Sequence, residues 1–87
     1  MSRPAPEALT VVARSPFKVY FEGPAQVLSA TNSVGDFDIL PGHADFFSML
    51  TPCTVTITPE SGGPIIFPIS KGIVTVRDNE VLLFVNM

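Results

Sequence analysis

Charged residues are scarce in this chain of 87 residues: they make up 15% of it, while apolar residues make up 46%. This balance is richer in apolar groups than that of an ordinary soluble domain. A domain of this size buries only about 60–65% of the surface that its unfolded chain exposes, so its core is modest. We therefore expect part of the apolar surface to stay exposed, as a binding face for another protein.

Basic residues are absent from the middle of the chain, where no lysine or arginine occurs between Val19 and Ser70. The same stretch carries five acidic residues: Glu22, Asp36, Asp38, Asp45 and Glu60. A surface built from it repels phosphate backbones and attracts a basic partner. We therefore expect no binding to nucleic acid.

Cysteine occurs once, at Cys53, which excludes an internal disulfide and is compatible with a reducing compartment. Cys53 falls on the apolar side of an alternating segment, a position that favours a small buried hydrophobe over a nucleophile. The opening residues contain prolines where a signal peptide has its apolar run, and we expect residues 1–8 to form a flexible tail. The charge-free run over residues 46–59 is too short and too rich in threonine and proline for a membrane helix, so we expect a chain that does not span the bilayer.

Helical periodicity is nearly absent, and short runs of β-branched and aromatic residues recur between Gly, Pro, Asn and Asp. The pattern predicts strands over residues 9–14, 17–22, 25–31, 37–40, 46–50, 53–58, 65–69, 73–77 and 81–85. The turns leave no room for crossover helices, which predicts antiparallel neighbours. So many strands in so short a chain predict a single all-β domain, a β-sandwich or flattened barrel.

Three of these strands indicate which faces are buried. Residues 53–58 and 73–77 alternate between apolar and polar side chains, which predicts one face on the core and one semi-polar face. Residues 81–85 are apolar throughout. Such a run predicts a strand covered on both sides, either by a second sheet or by a bound partner.

Turn residues divide the pattern. Asp78 and Asn79 tolerate positive φ and predict a two-residue hairpin between the last two strands. Pro68 lies inside a predicted strand and predicts an edge position or a bulge, where its missing N–H is harmless. Gly23 and Pro24 are predicted to separate two strands.

The most distinctive stretch, residues 35–45, is predicted to form an acidic loop around a Pro-Gly turn. Its potential metal ligands are three aspartates and the only histidine: Asp36, Asp38, Asp45 and His43. These residue types suit several divalent ions, but their spacing matches no recognised site and lacks the pattern of an EF-hand. His43 is the obvious candidate for acid–base work, which requires a pocket that a flat sheet edge rarely offers. The residues favour a turn or interface over a metal or catalytic site.

A family resemblance rests on this stretch and its flanks. Residues 35–44, Gly-Asp-Phe-Asp-Ile-Leu-Pro-Gly-His-Ala, fit a signature of glycine, acid, hydrophobe, any residue and then Ile-Leu-Pro-Gly-His-Ala. The match extends from about Leu9 to Val85. It includes Phe-Glu-Gly at residues 21–23, Gly72 before Ile-Val-Thr-Val, and the closing Asn-Glu-Val-Leu-Leu-Phe-Val. The chain resembles the N-terminal β-sandwich domain of the epsilon subunit of F-type ATP synthase.

The resemblance implies a sandwich of about ten strands in the central rotor stalk, peripheral to the cytoplasmic face of the bacterial inner membrane. It implies a non-catalytic subunit that binds no nucleotide and no cofactor and couples c-ring rotation to the gamma subunit in proton-driven ATP synthesis. We expect an apolar sheet face to meet gamma, with no particular residues assigned. The expected c-ring interface consists of Asp36, Asp38, Pro41, Gly42 and His43.

The chain departs from the family pattern in four places. Asp38 stands where glycine is usual, Cys53 replaces a common glycine after a proline, and Lys71 replaces glycine in a Ser-Gly-Gly segment. The family's C-terminal helical hairpin is missing from these 87 residues, so its inhibition of ATP hydrolysis and its ATP binding do not carry over. Two alternatives remain at this point, a free-standing β-sandwich adaptor unrelated to ATP synthase and a small metal-dependent enzyme.

Overall fold

The computed structural model describes residues 8–86, and these form eight strands and no helix. The strands are β1 (Leu9–Arg14), β2 (Val19–Asn32), β3 (Gly35–Ile39), β4 (Phe46–Leu50), β5 (Cys53–Pro59), β6 (Ile65–Ile69), β7 (Gly72–Arg77) and β8 (Glu80–Val85). The predicted flexible tail, residues 1–8, lies outside the described residues except for Ala8.

The long strand β2 joins two packed layers. Its first half pairs with β1, and its second half pairs with β3 and β5. Ala25 is the crossing point, because it pairs with Leu9 and with Pro59, and the register shifts between Ala25 and Val27. The first layer consists of the first half of β2 followed by β1, β8, β7 and β4, and the second layer of β3, the second half of β2, β5 and β6.

The predicted break at Gly23 and Pro24 is wrong, because the strand runs through both residues. Gly23 pairs with Val11 at a φ of 148°, a conformation that other residues rarely adopt. The Pro24 carbonyl accepts a hydrogen bond of 3.1 Å from the Glu60 amide, so the lack of an N–H does not end the pairing. The two strands predicted over residues 17–22 and 25–31 are therefore one strand, β2.

The prediction of antiparallel neighbours is wrong for one pair, since β1 and β8 run parallel from Thr10 opposite Glu80 to Arg14 opposite Phe84. Parallel strands need a long connection. Here almost the whole domain connects them, because β1 and β8 are the first and last strands of the described chain.

The core lies between the layers and forms one apolar cluster. Its buried members are Leu9, Val11, Ala13, Ala25, Leu28, Ala30, Ile39, Leu50, Val55, Ile57, Phe67, Ile69, Val74, Val76, Val81, Leu83 and Val85. Every strand contributes to the cluster, and buried residues alternate along the strands except in β2, where the register shift between Ala25 and Val27 interrupts the alternation. The all-β sandwich is therefore confirmed, with eight strands in the described part where the resemblance implies about ten.

Two turn predictions are confirmed. Asp78 and Asn79 close the β7–β8 hairpin with φ values of 51° and 65°, the positive values that a type I′ turn needs at both central positions. Pro68 lies in β6, the last strand in the sheet order, and pairs only with Thr54 of β5.

Candidate functional site

The outer surface of the first layer carries a continuous set of apolar side chains, which we call the apolar face. Its members are Val12, Phe47, Met49, Ile73, Leu82 and Phe84. Side chains that pair across strands lie on the same side of a sheet. One row runs from Val12 through Leu82 and Thr75 to Phe47, and the next from Phe84 through Ile73 to Met49.

The apolar face is open to solvent in the described structure. The exposed fraction of the side chains reaches 69% for Met49 and 64% for Phe47, and it is 44% for Leu82. A groove of about 460 Å³ crosses this face between Val12 and Thr75. One side of β8 is thus buried in the core and the other side is exposed. The prediction that a bound partner covers this second side stays a prediction.

The outer surface of the second layer, which we call the polar face, is lined mainly by threonine, serine and aspartate. Its polar members are Ser29, Thr31, Asp36, Asp38, Thr54, Thr56 and Thr58. The hydroxyl groups of Ser29 and Thr31 donate hydrogen bonds of 2.6 and 2.7 Å to the carboxylates of Asp38 and Asp36. Ile66, which is 60% exposed, is the large apolar side chain on this face.

The strand predicted over residues 37–40 is confirmed with shifted bounds, since residues 35–39 form β3. The prediction of an acidic loop over residues 35–45 is therefore wrong in its first half, and the loop covers only residues 40–45. Asp36 and Asp38 lie two residues apart on β3 and point to the same side of the sheet. The strand therefore presents both carboxylates on the polar face, at the edge of the second layer.

Pro41, Gly42 and His43 lie in a tight turn that follows β3. The His43 amide donates a 3.0 Å hydrogen bond to the Leu40 carbonyl, and Gly42 has a φ of 85°. Proline at the second position and a positive φ at the third define a type II turn. The half-buried His43 ring donates from Nδ1 to the Ala44 carbonyl at 2.7 Å and packs edge-on to Phe46, with 5.4 Å between ring centroids.

The structure brings two of the five predicted c-ring residues into one depression. Asp36 and His43 line a shallow depression of about 280 Å³, whose apolar walls include Val34, Phe37 and Phe46. The other three residues, Asp38, Pro41 and Gly42, do not line it. The depression combines a carboxylate with apolar and aromatic walls, which suits the charged head and apolar stem of a basic side chain.

Sequence reasoning assigned no residues to the apolar face. Part of the signal was present, because Leu82 and Phe84 alternate with the core residues of β8. Phe47 and Met49 alternate in the same way on β4. What joins them is the cross-strand register, which no single segment of the sequence contains.

The described residues were also compared with the requirements of a metal site. Residues 8–86 hold no group of three or more His, Cys, Asp or Glu side chains that could bind a metal ion. Cys53 is half-buried, with its Sγ 4.0 Å from the Thr31 carbonyl oxygen. Within the same residues, no helix is long and apolar enough to cross a membrane.

An all-β sandwich with one exposed apolar face and one polar, acidic face is typical of a protein-interaction module. The chain belongs to the family of the β-sandwich domain of the ATP synthase delta/epsilon chain, whose model matches residues 8–87. The free-standing adaptor unrelated to ATP synthase is thereby excluded.

Relatives of known name agree with this family. The chain is 32% identical to the ATP synthase epsilon chain of Clostridium novyi (strain NT) over 69 residues, 79% of this chain and 53% of that protein. It is 36% identical to the ATP synthase epsilon chain of Xanthomonas campestris pv. campestris (strain B100) over 66 residues, 76% of this chain and 47% of that protein. The chain thus spans about half the length of the curated relatives that it matches.

Solved structures share the fold. A chain of the Euglena gracilis mitochondrial ATP synthase (OSCP/F1/c-ring) matches 98% of this chain and 54% of its own length, with a TM-score of 0.85 and 18% identity. A chain of the Tetrahymena thermophila mitochondrial ATP synthase (central stalk/c-ring) matches 88% of this chain and 62% of its own length, with a TM-score of 0.77 and 24% identity. At these identities the likeness establishes the fold.

Proposed function

We propose that the chain is a non-catalytic subunit of the central rotor stalk of F-type ATP synthase. It couples rotation of the c-ring to the gamma subunit in proton-driven ATP synthesis, at the cytoplasmic face of the bacterial inner membrane. The observation that carries the proposal is the exposed apolar face, found on a domain of the delta/epsilon family. Relatives named ATP synthase epsilon chain support the same reading.

The apolar face is the proposed contact for gamma. Covering one large apolar side chain is worth about 1.5–3 kcal/mol, and Phe47, Met49, Leu82 and Phe84 are all available on this face. Aromatic side chains and methionine are enriched in the buried centres of protein interfaces. A stiff sheet loses little conformational freedom when it is covered, which favours a firm attachment under torque.

The c-ring contact is proposed for the five residues around the Pro41–His43 turn: Asp36, Asp38, Pro41, Gly42 and His43. Asp36 and Asp38 present negative charge to a basic loop of the ring, and such charge pairing fixes register more than it adds affinity. The type II turn gives the contact little freedom, because proline fixes one φ and the turn's own hydrogen bond closes it.

The chemistry of catalysis is proposed to lie on other subunits. The histidine of the candidate site holds a neighbouring carbonyl through Nδ1, and its depression is shallow rather than an enclosed pocket. A substrate site is usually concave enough to bury most of its ligand. The proposal assigns no nucleotide, metal or cofactor to these residues.

Binding to gamma provides the test. We expect the chain and the gamma subunit of the same organism to elute as one complex. We expect Leu82→Asp on the apolar face to weaken this binding at least about 100-fold, because a buried, unpaired carboxylate costs several kcal/mol. The matched control is Thr56→Asp on the polar face, which should bind as the unchanged chain does. Equal loss in both variants, or no binding by the unchanged chain, would contradict the proposal.

A further inference from the structure

The Asp78-Asn79 turn forms hydrogen bonds with three residues outside its hairpin: Thr10, Gly42 and Asp45. The Asn79 carbonyl accepts a 2.9 Å hydrogen bond from the Thr10 amide at the start of β1. The Asn79 Oδ1 accepts a 2.9 Å bond from the Gly42 amide, and the Asp45 Oδ1 accepts a 3.1 Å bond from the Asp78 amide. The hairpin that joins two strands of the apolar face therefore also holds the loop of residues 40–45 at two points, Gly42 and Asp45.

The Gly42 amide is the group that a type II turn leaves free. The turn's own hydrogen bond uses the His43 amide and the Leu40 carbonyl, so the central Gly42 N–H points away without a partner inside the turn. Asn79 supplies that partner from 37 residues further along the chain. This bond links the turn to the hairpin between β7 and β8.

Asparagine meets two requirements at position 79. Its φ of 65° is a left-handed conformation, which asparagine adopts more readily than most residues. Its side chain also carries an acceptor oxygen that reaches the neighbouring turn. A glycine at position 79 would adopt the positive φ but has no acceptor oxygen. Substitution by glycine therefore removes the side-chain hydrogen bond without straining the backbone.

We propose that Asn79 is a positioning residue that fixes the Pro41–His43 turn to the layer bearing the apolar face. A force on the turn then passes into β7 and β8 and does not bend the loop of residues 40–45. This consequence rests on the proposed function, in which the turn contacts the c-ring and the apolar face contacts gamma. The positioning itself does not depend on that function.

A matched control exists at the other end of β8. Asn86 has a φ of 52°, and its Oδ1 accepts hydrogen bonds from the Ser70 amide at 2.8 Å and the Ser70 hydroxyl at 2.9 Å. Six strand residues separate it from Asn79, a distance of about 20 Å. Asn79→Gly and Asn86→Gly therefore remove the same kind of acceptor at opposite ends of one strand, with one hydrogen bond lost at Asn79 and two at Asn86.

Amide hydrogen exchange of the free chain tests the positioning directly. In Asn79→Gly we expect the Gly42 amide to exchange about fivefold to tenfold faster, as for the loss of one hydrogen bond. In Asn86→Gly the Gly42 rate should be unchanged and the Ser70 amide should exchange faster. Asn79→Asp keeps an acceptor oxygen and should restore the slow Gly42 rate. An unchanged Gly42 rate in Asn79→Gly would overturn the proposal.

The assembled ATP synthase tests the consequence for the rotor. We expect Asn79→Gly to lower proton-driven ATP synthesis relative to ATP hydrolysis by about twofold to tenfold. Asn86→Gly, which removes two hydrogen bonds instead of one, should leave the ratio unchanged. Equal ratios in the two variants would overturn the rotor consequence. If the unchanged chain does not bind gamma, the proposed function fails, and the Gly42 exchange rates still decide whether Asn79 positions the turn.

Discussion

The two outer faces of the sandwich have the same backbone geometry and opposite chemistry. In both layers most strands alternate inward and outward positions. On the first layer the outward positions hold residues such as Leu82 and Phe84, and on the second they hold residues such as Thr54 and Thr56. Neither set reaches the core, so packing of the core does not explain the difference. It indicates that the first layer is built to be covered by another protein and the second to remain in water or to meet a charged partner.

The two faces also differ in the interactions that their side chains make. Asp36 and Asp38 accept hydrogen bonds from hydroxyl groups of the adjacent strand, so the carboxylates are held in place on the polar face. The apolar face offers Phe47 and Met49, which gain little from water and much from burial. One face thus suits orientation by charge, and the other suits firm attachment by area.

The largest effect is expected on the free energy of unfolding, in β8, where an inward and an outward leucine are adjacent. Leu83 is fully buried, and Leu83→Ala should lower the free energy of unfolding by about 2–5 kcal/mol. Leu82→Ala, one residue earlier on the apolar face, should change it by less than about 0.5 kcal/mol and weaken gamma binding instead. Urea unfolding measures the first quantity. Similar losses of stability in both variants would mean that the apolar face belongs to the core.

A smaller effect is expected from reversing charge on the polar face. Asp36→Arg should weaken attachment to the c-ring about tenfold, because it replaces an attraction with a like-charge repulsion, without unfolding the domain. Glu60→Arg is the control, since it changes the net charge equally near Pro24, at the other end of the second half of β2. Ring attachment is measured by co-purification over a range of salt concentrations. A normally assembled and proton-pumping Asp36→Arg complex would contradict the charge pairing.

The smallest effect is expected within the polar face itself. Thr31→Val removes the hydroxyl group that donates to Asp36 and keeps the shape of the side chain. The bond is exposed, so its loss should cost no more than about 0.5–1 kcal/mol of unfolding free energy. Ser29→Ala, which removes the donor to Asp38, should behave alike in thermal melting. A loss of several kcal/mol would show that these bonds stabilise the fold and do not merely orient the carboxylates.

Local patterns were enough to predict the fold class. The alternation in residues 53–58 and 73–77 places Val55, Ile57, Val74 and Val76 in the core, as the structure has them. The Asp-Asn hairpin was predictable for the same reason, since its conformation depends on the two residues that form it. Both are properties of a few neighbouring residues.

Features that depend on distant segments were not predictable. Nothing near Gly23 shows that β1 continues to pair across it, and nothing near β1 shows that β8 lies beside it in parallel. The strand predicted over residues 37–40 starts earlier, at Gly35, and includes Asp36, because the second half of β2 pairs with it from Asn32 onward. In each case a pairing partner far along the chain decides the outcome.

The sequence predicts a set of candidate site residues, which stays a prediction, and it does not predict their geometry. The sequence identified Asp36 and His43, and the structure adds that they share a depression while Asn79 holds the turn beside them. The link between Gly42 and Asn79 spans 37 residues and leaves no local pattern. No residues were assigned to the gamma contact for the same reason.

Hydroxyl-radical footprinting of the chain, free and bound to gamma, tests the central claim most directly. The account predicts that gamma lowers the modification rates of Met49 and Phe84 on the apolar face at least about tenfold and leaves Ile66 on the polar face unchanged. Protection of Ile66 with unchanged rates at Met49 and Phe84 would contradict it.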